Sequence, residues 1–467
     1  LRLYGLDAQS LWYDEGFSVY LARMDPAEIA ARTAADIPPP LYYLLLHGWI
    51  QLFGDGEWVV RCLSLLFGVL TIPLIYAVAR LLFGQYPGDT SRSYLAGMLA
   101  ALILAVSPLH IWYSQETRMY TLLTLLCLLS SFFLLLLMQT NKKWSVVALW
   151  LGFILTSTAA VYTHYFAFFI LAFQALYLLF VWWKRRFQPK CLILGGLVSG
   201  GLIMLSFLPW LPHLITRYGA DVSYWPGRLK LHEVLIDIAL AFIGGESVTE
   251  STGIFLIIGY GLVFVLCTIA LAIQGRHNLP IPEADVQFPL VFLLFYLLVP
   301  PALILLLSYN SPKFNARYAM VSYPALVLIL AGGLATLWRQ RSSHTRNLIR
   351  WSVVGVTLIF ILGVSAYADY NIFANPAFAR TDFRGAARYV GKHMSPNETI
   401  ILSSGHMYPV FDYYAPGMER LLLPDSPTLD TTRTLDYSIA ADLNDWLRGR
   451  DGVWLVLWQD EVVDPAG

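Results

Sequence analysis

Charged side chains are scarce: Asp, Glu, Lys and Arg make up 13% of the 467 residues. Soluble domains carry roughly 25%, so this chain cannot clothe a water-facing surface of its size. Neither sign is in excess, because 31 basic and 31 acidic residues balance, and the chain as a whole shows no nucleic-acid footprint. Cysteine is sparse too. Cys62, Cys127, Cys191 and Cys267 stand far apart, each in an apolar run, which leaves no disulfide framework or metal spacing and reads as buried, inert thiols. A nucleotide-phosphate loop is also missing, since the glycines of Gly195–Gly201 lie inside an apolar run and read as close helix packing. No signal peptide is visible and the chain starts at Leu1, so the expectation is that an upstream helix is absent from this sequence.

Apolar residues dominate instead, at 57%, with a mean hydropathy of +0.59. Stretches long enough to span a bilayer fall near 57–79, 94–112, 119–138, 144–161, 165–183, 191–211, 251–273, 287–309, 318–338 and 350–368. Each is close to the ~20 residues that cross a ~30 Å hydrocarbon core. One such run could be a buried soluble helix; ten in series read as an α-helical polytopic membrane protein. Alternate loops collect Arg80 and Arg92, Lys142 and Lys143, Lys184 to Lys190, Arg276, and Arg339 to Arg350. By the positive-inside rule that face is cytoplasmic. The opposite face then carries residues 1–55, turns near 113–118, 162–165 and 310–317, a longer loop at 212–250, and the tail.

The expected organisation is a first extracytoplasmic loop at 1–55 with interfacial helices at Leu11–Arg23 and Pro26–Ala35, a transmembrane domain at 56–368, and a water-facing α/β domain at 369–467. In that last part, Ile400–Ser404 and Val453–Trp458 read as strands and Asp382–His393 and Leu435–Leu447 as helices. Because the sequence stops just after a strand pattern, the tail is expected to be cut short.

Polar residues gather on the outer face. Asp14, Glu15 and Asp36 lie in the first segment, Tyr113, Glu116 and Arg118 on the next outer turn, His164 on another, and Lys313, Arg317 and Tyr318 on a later one. Each has a plain structural reading, as a cap, a turn former or an interfacial anchor. Together they place acids and bases at one membrane depth, where charges are costly. A carboxylate there can take a proton from an acceptor hydroxyl, and arginines can grip a lipid-borne phosphate. These parts describe sugar transfer from a lipid-phosphate donor, but a proton-coupled transporter uses similar groups. Asp14, Glu15, Asp36 and His164 could in principle ligate a divalent cation, yet their spacing supports no metal site.

The residues also carry a resemblance. Leu11-Trp-Tyr-Asp-Glu15, Asp36-Ile-Pro-Pro-Pro-Leu-Tyr-Tyr43 with His47-Gly-Trp49, Ser107 to Tyr120, Tyr162-Thr-His-Tyr-Phe166, and Arg317-Tyr318 before Pro324 form an ordered set. This set resembles the bacterial GT-C membrane glycosyltransferases related to protein O-mannosyltransferases and lipid A aminoarabinose transferase. The resemblance implies a hexosyl- or pentosyltransferase of the bacterial plasma membrane that uses a polyprenyl-phosphate sugar, acts on a lipid, glycan or protein, and inverts the anomeric centre. It nominates Asp14 as base, with Glu15 in support and Asp36 as a further acid. Arg118, Arg317 and, more weakly, Lys313 would hold the donor phosphate. Glu116, His164, Tyr113 and Tyr318 would line the substrate. The sequence departs from the pattern at Pro38, where relatives often have His. The alternatives are a lipid-linked sugar flippase and an O-antigen polymerase or ligase.

Overall fold

The computed structural model describes residues 1–36, 38–84, 90–139, 143–187, 190–220, 229–277, 289–309, 314–339, 344–425, 435 and 439–459. Three short helices come first: α1 Tyr13–Ala22, α2 Pro26–Ala35 and α3 Leu41–Phe53. The bundle follows with α4 Glu57–Phe83, α5 Thr90–Ala105, α6 Pro108–Ser114, α7 Tyr120–Leu137, α8 Lys143–Thr163, α9 Ala167–Lys184 and α10 Lys190–Phe207. It continues through α11 Leu211–Ala220, α12 Leu231–Gly244, α13 Glu250–His277 and α14 Pro289–Ser308. A 3-10 turn, Ala316–Ser322, then leads into α15 Tyr323–Arg339, and α16 His344–Ala374 ends the bundle. The tail comprises α17 Phe383–His393, β1 Glu398–Ser403, α18 Tyr408–Tyr414, β2 Arg420–Leu423, α19 Ile439–Trp446 and β3 Gly452–Leu457.

Among the described residues nine helices are long and apolar enough to cross a membrane, or ten if α5 and α6 count as one bent span. The turn and α15 form the centre, with 89% of the spanning window buried, against 22–67% for the other eight. Close approach makes this possible. A Cβ at Gly333 would stand 2.5 Å from the Cα of Cys267 on α13, and one at Gly332 would stand 2.7 Å from both Cε atoms of the Phe83 ring on α4 and nearer still to its Cζ. Many of the outer helices' large apolar side chains, such as Leu155, Phe255 and Ile359, are exposed, as lipid-facing residues should be.

Four sequence expectations need correction. The expected single span at 94–112 is broken by 58° between α5 and α6. Ser107 accepts a hydrogen bond from the His110 N–H and Pro108 occupies the first helical turn, so a new helix starts there. The first segment, expected to hold two interfacial helices, contains a third, α3, which starts directly after the prolines at 38–40. The expected loop at 212–250 contains α11 and α12, with 221–228 outside the described residues. Finally, of the four cysteines expected to be buried, Cys191 is exposed and Cys62 only half-buried.

The tail sheet is parallel, in the order β2-β1-β3. Short β2 carries too little pattern to read from sequence. The tail docks on α1 through α18. A Cβ at Gly16 would lie 2.6 Å from the Val410 Cα and nearer still to its Cβ. Tyr414 bridges the same contact, its hydroxyl taking the Leu11 N–H at 2.6 Å and donating to Glu57. Gly16→Val should therefore lower stability by about 1–3 kcal/mol through overpacking. Thermal unfolding in detergent checks this, and an unchanged midpoint would contradict the docking described.

Candidate active site

Asp14 and Glu15 occupy the first turn of α1, after Trp12 in extended conformation. A helix N-terminus favours carboxylates, yet the two acids meet different surroundings. The Asp14 Oδ2 lies 3.1 Å from an Arg317 Nη and 3.9 Å from the Arg118 Nε. These three side chains are 15%, 18% and 10% exposed, so the cluster is nearly but not fully closed. Arg118 sits just ahead of α7, and its other end reaches the Tyr43 hydroxyl at 3.3 Å. Arg317 opens the 3-10 turn, where its backbone N–H donates to the Asn315 side chain at 3.0 Å. Its guanidinium stands 5.5 Å from the Tyr120 ring and 5.9 Å from the Trp12 and Tyr318 rings. The Nε groups of both arginines are buried and have no hydrogen-bond acceptor. A buried donor left unmade is costly, so this pair of cations is prepared for more negative charge than Asp14 supplies.

Glu15 is fully buried. It takes a bidentate pair from Arg61 at 2.8 and 2.7 Å, the Thr117 N–H at 2.9 Å and an Arg380 Nη at 3.1 Å. Burial alone would raise its pKa, but Arg61 and Arg380 outweigh burial and hold it at about 2. Arg61 also donates to the carbonyls of Leu6, Gln9 and Ser10. Glu15 is thus engaged in tying segments together, whereas Asp14 faces the arginines with unused N–H groups.

Glu116 is buried 3.6 Å from Arg380, and its Oε1 has no hydrogen-bond partner. Burial pushes its pKa up to about 7 against the pull of Arg380, with the nearby Glu15 charge adding to the rise. His164 follows α8 and is also buried. Its Nδ1 accepts the Phe166 N–H at 3.2 Å, which puts the proton of the neutral ring on Nε2. Burial first, then Arg118 and Arg317, lower its pKa to about 3. Tyr318 packs 6.0 Å from the His164 ring. The Tyr113 hydroxyl donates to Glu246 at 2.8 Å, so its hydrogen is committed within the protein. Half-buried Asp36 follows α2, where its N–H donates to the Thr33 carbonyl at 3.3 Å. It acts electrostatically on Tyr13 and Tyr43, as Asp14 does. Lys313 lies outside the described residues.

The structure thus brings Asp14, Arg118 and Arg317 into one cluster, with His164 and Tyr318 beside it and Glu15 and Glu116 behind it. Sequence reasoning missed Arg61, Arg380, Tyr43 and Glu246. Arg61 had a signal: it is a cation inside the apolar run at 57–79, and such a charge demands a partner. Arg380 had none. Asp14 and Glu15 are paired with arginines, and among the described residues no three His, Cys, Asp or Glu side chains stand close enough together to hold a metal ion.

Comparison with solved structures identifies the architecture. ArnT from Cupriavidus metallidurans, in the apo state, superposes with a TM-score of 0.63 at 14% identity, covering 96% of this chain and 89% of that one. The chain shares the fold of ArnT. The same relative bound to undecaprenyl phosphate gives 0.56 at 14% identity, over 90% of this chain and 83% of that one. The chain is also similar to the archaeal oligosaccharyltransferase AglB from Archaeoglobus fulgidus, in complex with an inhibitory peptide and a dolichol-phosphate. It gives 0.58 at 12% identity, over 94% of this chain and 65% of that one. Residues 38–213 match the dolichyl-phosphate-mannose-protein mannosyltransferase family. That segment includes Arg118 and His164 but neither Asp14 nor Arg317. No curated protein matches the sequence.

Proposed function

We propose that this protein transfers a sugar from a polyprenyl-phosphate-linked donor to an acceptor at the extracytoplasmic face of the bacterial plasma membrane. The observation that carries the reading is the pair of guanidinium groups of Arg118 and Arg317, each with a buried, unused Nε–H and both beside Asp14. A phosphate offers the acceptor oxygens those N–H groups lack. The solved relatives that hold undecaprenyl phosphate and dolichol-phosphate favour a lipid-borne one. Charge supports the side: Arg80, Lys184, Arg185 and Arg339 lie at the helix ends opposite Asp14, and the positive-inside rule favours the cytoplasm for that end.

In this mechanism the acceptor hydroxyl oxygen attacks the anomeric carbon and its proton passes to Asp14. The bond from that carbon to the phosphate oxygen breaks on the far side, which inverts the centre. The departing polyprenyl phosphate keeps the electron pair, and Arg118 and Arg317 stabilise its charge. Electrostatic preorganisation of this kind is commonly the largest catalytic contribution. As phosphate charge builds, Arg317 turns from Asp14 toward it and frees the carboxylate to act as base.

The test is to incubate purified protein with a panel of polyprenyl-phosphate hexoses and pentoses and follow sugar release or transfer. At least one donor should turn over, and Arg317→Gln should raise the KM for it about 10- to 100-fold, the cost of one charge-assisted contact. Movement of intact donor across vesicles with no bond cleavage would replace the transferase reading with a transporter.

A further inference from the structure

Arg380 belongs to the tail, between the end of α16 and α17. Its side chain is 9% exposed. It reaches both segments that present the proposed reacting groups. On the first segment its backbone N–H donates to the Gln9 side chain at 3.0 Å and an Nη donates to Glu15 at 3.1 Å. On the other, the same Nη donates to the Gln115 carbonyl at 3.4 Å, the second Nη lies 3.6 Å from Glu116, and the guanidinium stacks 4.6 Å over Trp112. Asp14 is the chain neighbour of Glu15. Arg118 is one residue beyond Thr117, whose N–H donates to Glu15, and the Arg118 N–H donates to the Glu116 carbonyl at 2.7 Å. Arg380 therefore stands behind both partners of the Asp14–Arg118 pair without touching either.

We propose that Arg380 is a positioning residue through which the docked tail sets the geometry of Arg118 toward a phosphate. Without it, Glu15 keeps Arg61 but loses its link to the tail, while Glu116 stays buried with no cation at contact distance. The turn at 115–118 then keeps its contacts with Arg2, Tyr4, Glu15 and Ser64 but loses its tie to the tail. Arg118 loses its fixed aim, and planar two-sided bonding of this kind is not reproduced by an ammonium. The tail thus acts as part of the site and not only as a surface appendage. This inference rests on the phosphate-binding reading of Arg118.

The test uses the full chain and undecaprenyl phosphate as probe, with equilibrium binding measured for single and double variants. Arg380→Gln should weaken binding about 10-fold and Arg380→Lys by less, while in an Arg118→Gln background Arg380→Gln should change affinity by under about twofold, because residues acting through one another are non-additive. Additive losses, or an Arg380→Gln variant within about twofold of wild type, would overturn the proposal. Amide hydrogen exchange without ligand gives a separate reading: Thr117 and Arg118 should exchange faster in Arg380→Gln. If wild type does not bind undecaprenyl phosphate, the phosphate role fails; unchanged exchange at those amides refutes the positioning role by itself. Should Arg380→Gln not fold, Arg380→Lys carries both measurements, with unchanged exchange and affinity counting against the proposal.

Discussion

Asp14→Asn is expected to lower sugar transfer by about 10²- to 10⁴-fold, the usual worth of a positioned general base, while undecaprenyl phosphate binds as well as before or more tightly. The amide keeps the size of the carboxylate and can still accept the hydrogen bond from Arg317, so the ground state near α1 survives. It cannot take a proton from an attacking hydroxyl. It also removes the negative charge that competes with phosphate for Arg118 and Arg317, which is why affinity should hold or rise. A merely structural Asp14 would behave differently: phosphate affinity and thermal stability would fall together. Measuring kcat and phosphate Kd on the same preparation separates the two cases. Full turnover in Asp14→Asn would remove the residue as base. Asp14→Glu should fall between, since it keeps the chemistry and moves the oxygens.

Much of this arrangement is legible in the sequence, for particular reasons. Spanning helices announce themselves because bilayer thickness sets a minimum apolar length that few other elements need. Arg118 and Arg317 stand out because each is a charge at the edge of such a run, where it must be solvated or partnered, and Asp14 because it belongs to an acidic pair in the first outer segment. Their meeting could not be read, since 303 residues separate Asp14 from Arg317. The break at Ser107–Pro108 and the start of α3 after Pro40 were hidden by hydropathy, which sees an apolar stretch but not the capping that divides it. The different fates of Asp14 and Glu15 were equally hidden. They are adjacent in sequence, and only the turn of α1 sends one toward the arginines with unused donors and the other into the Arg61 fork. Arg380 looked like one more charge in a polar tail, and its partners lie at the far end of the chain.

That hidden division predicts the second large effect. Arg61→Met should destabilise the protein by about 3–5 kcal/mol, the cost of removing one member of a buried ion pair. Glu15 would keep the Thr117 N–H and Arg380 but lose its bidentate partner, and the carbonyls of Leu6, Gln9 and Ser10 would lose their donor. Acid sensitivity should move with it. Glu15 has a depressed folded pKa of about 2, so its contribution is fully present above its unfolded pKa and is lost as pH falls from there through the folded value. Without Arg61 the folded pKa rises, and this contribution shrinks at neutral pH and vanishes at a higher pH on acidification. The double variant Arg61→Met with Glu15→Met separates stability from function. Replacing both members by apolar side chains of similar length removes the orphaned charge, so much of the thermal stability should return. Activity should not, because the Thr117 N–H then has no carboxylate to hold the turn that carries Arg118. A double variant that regained both thermal midpoint and turnover would show that the buried pair serves the fold alone.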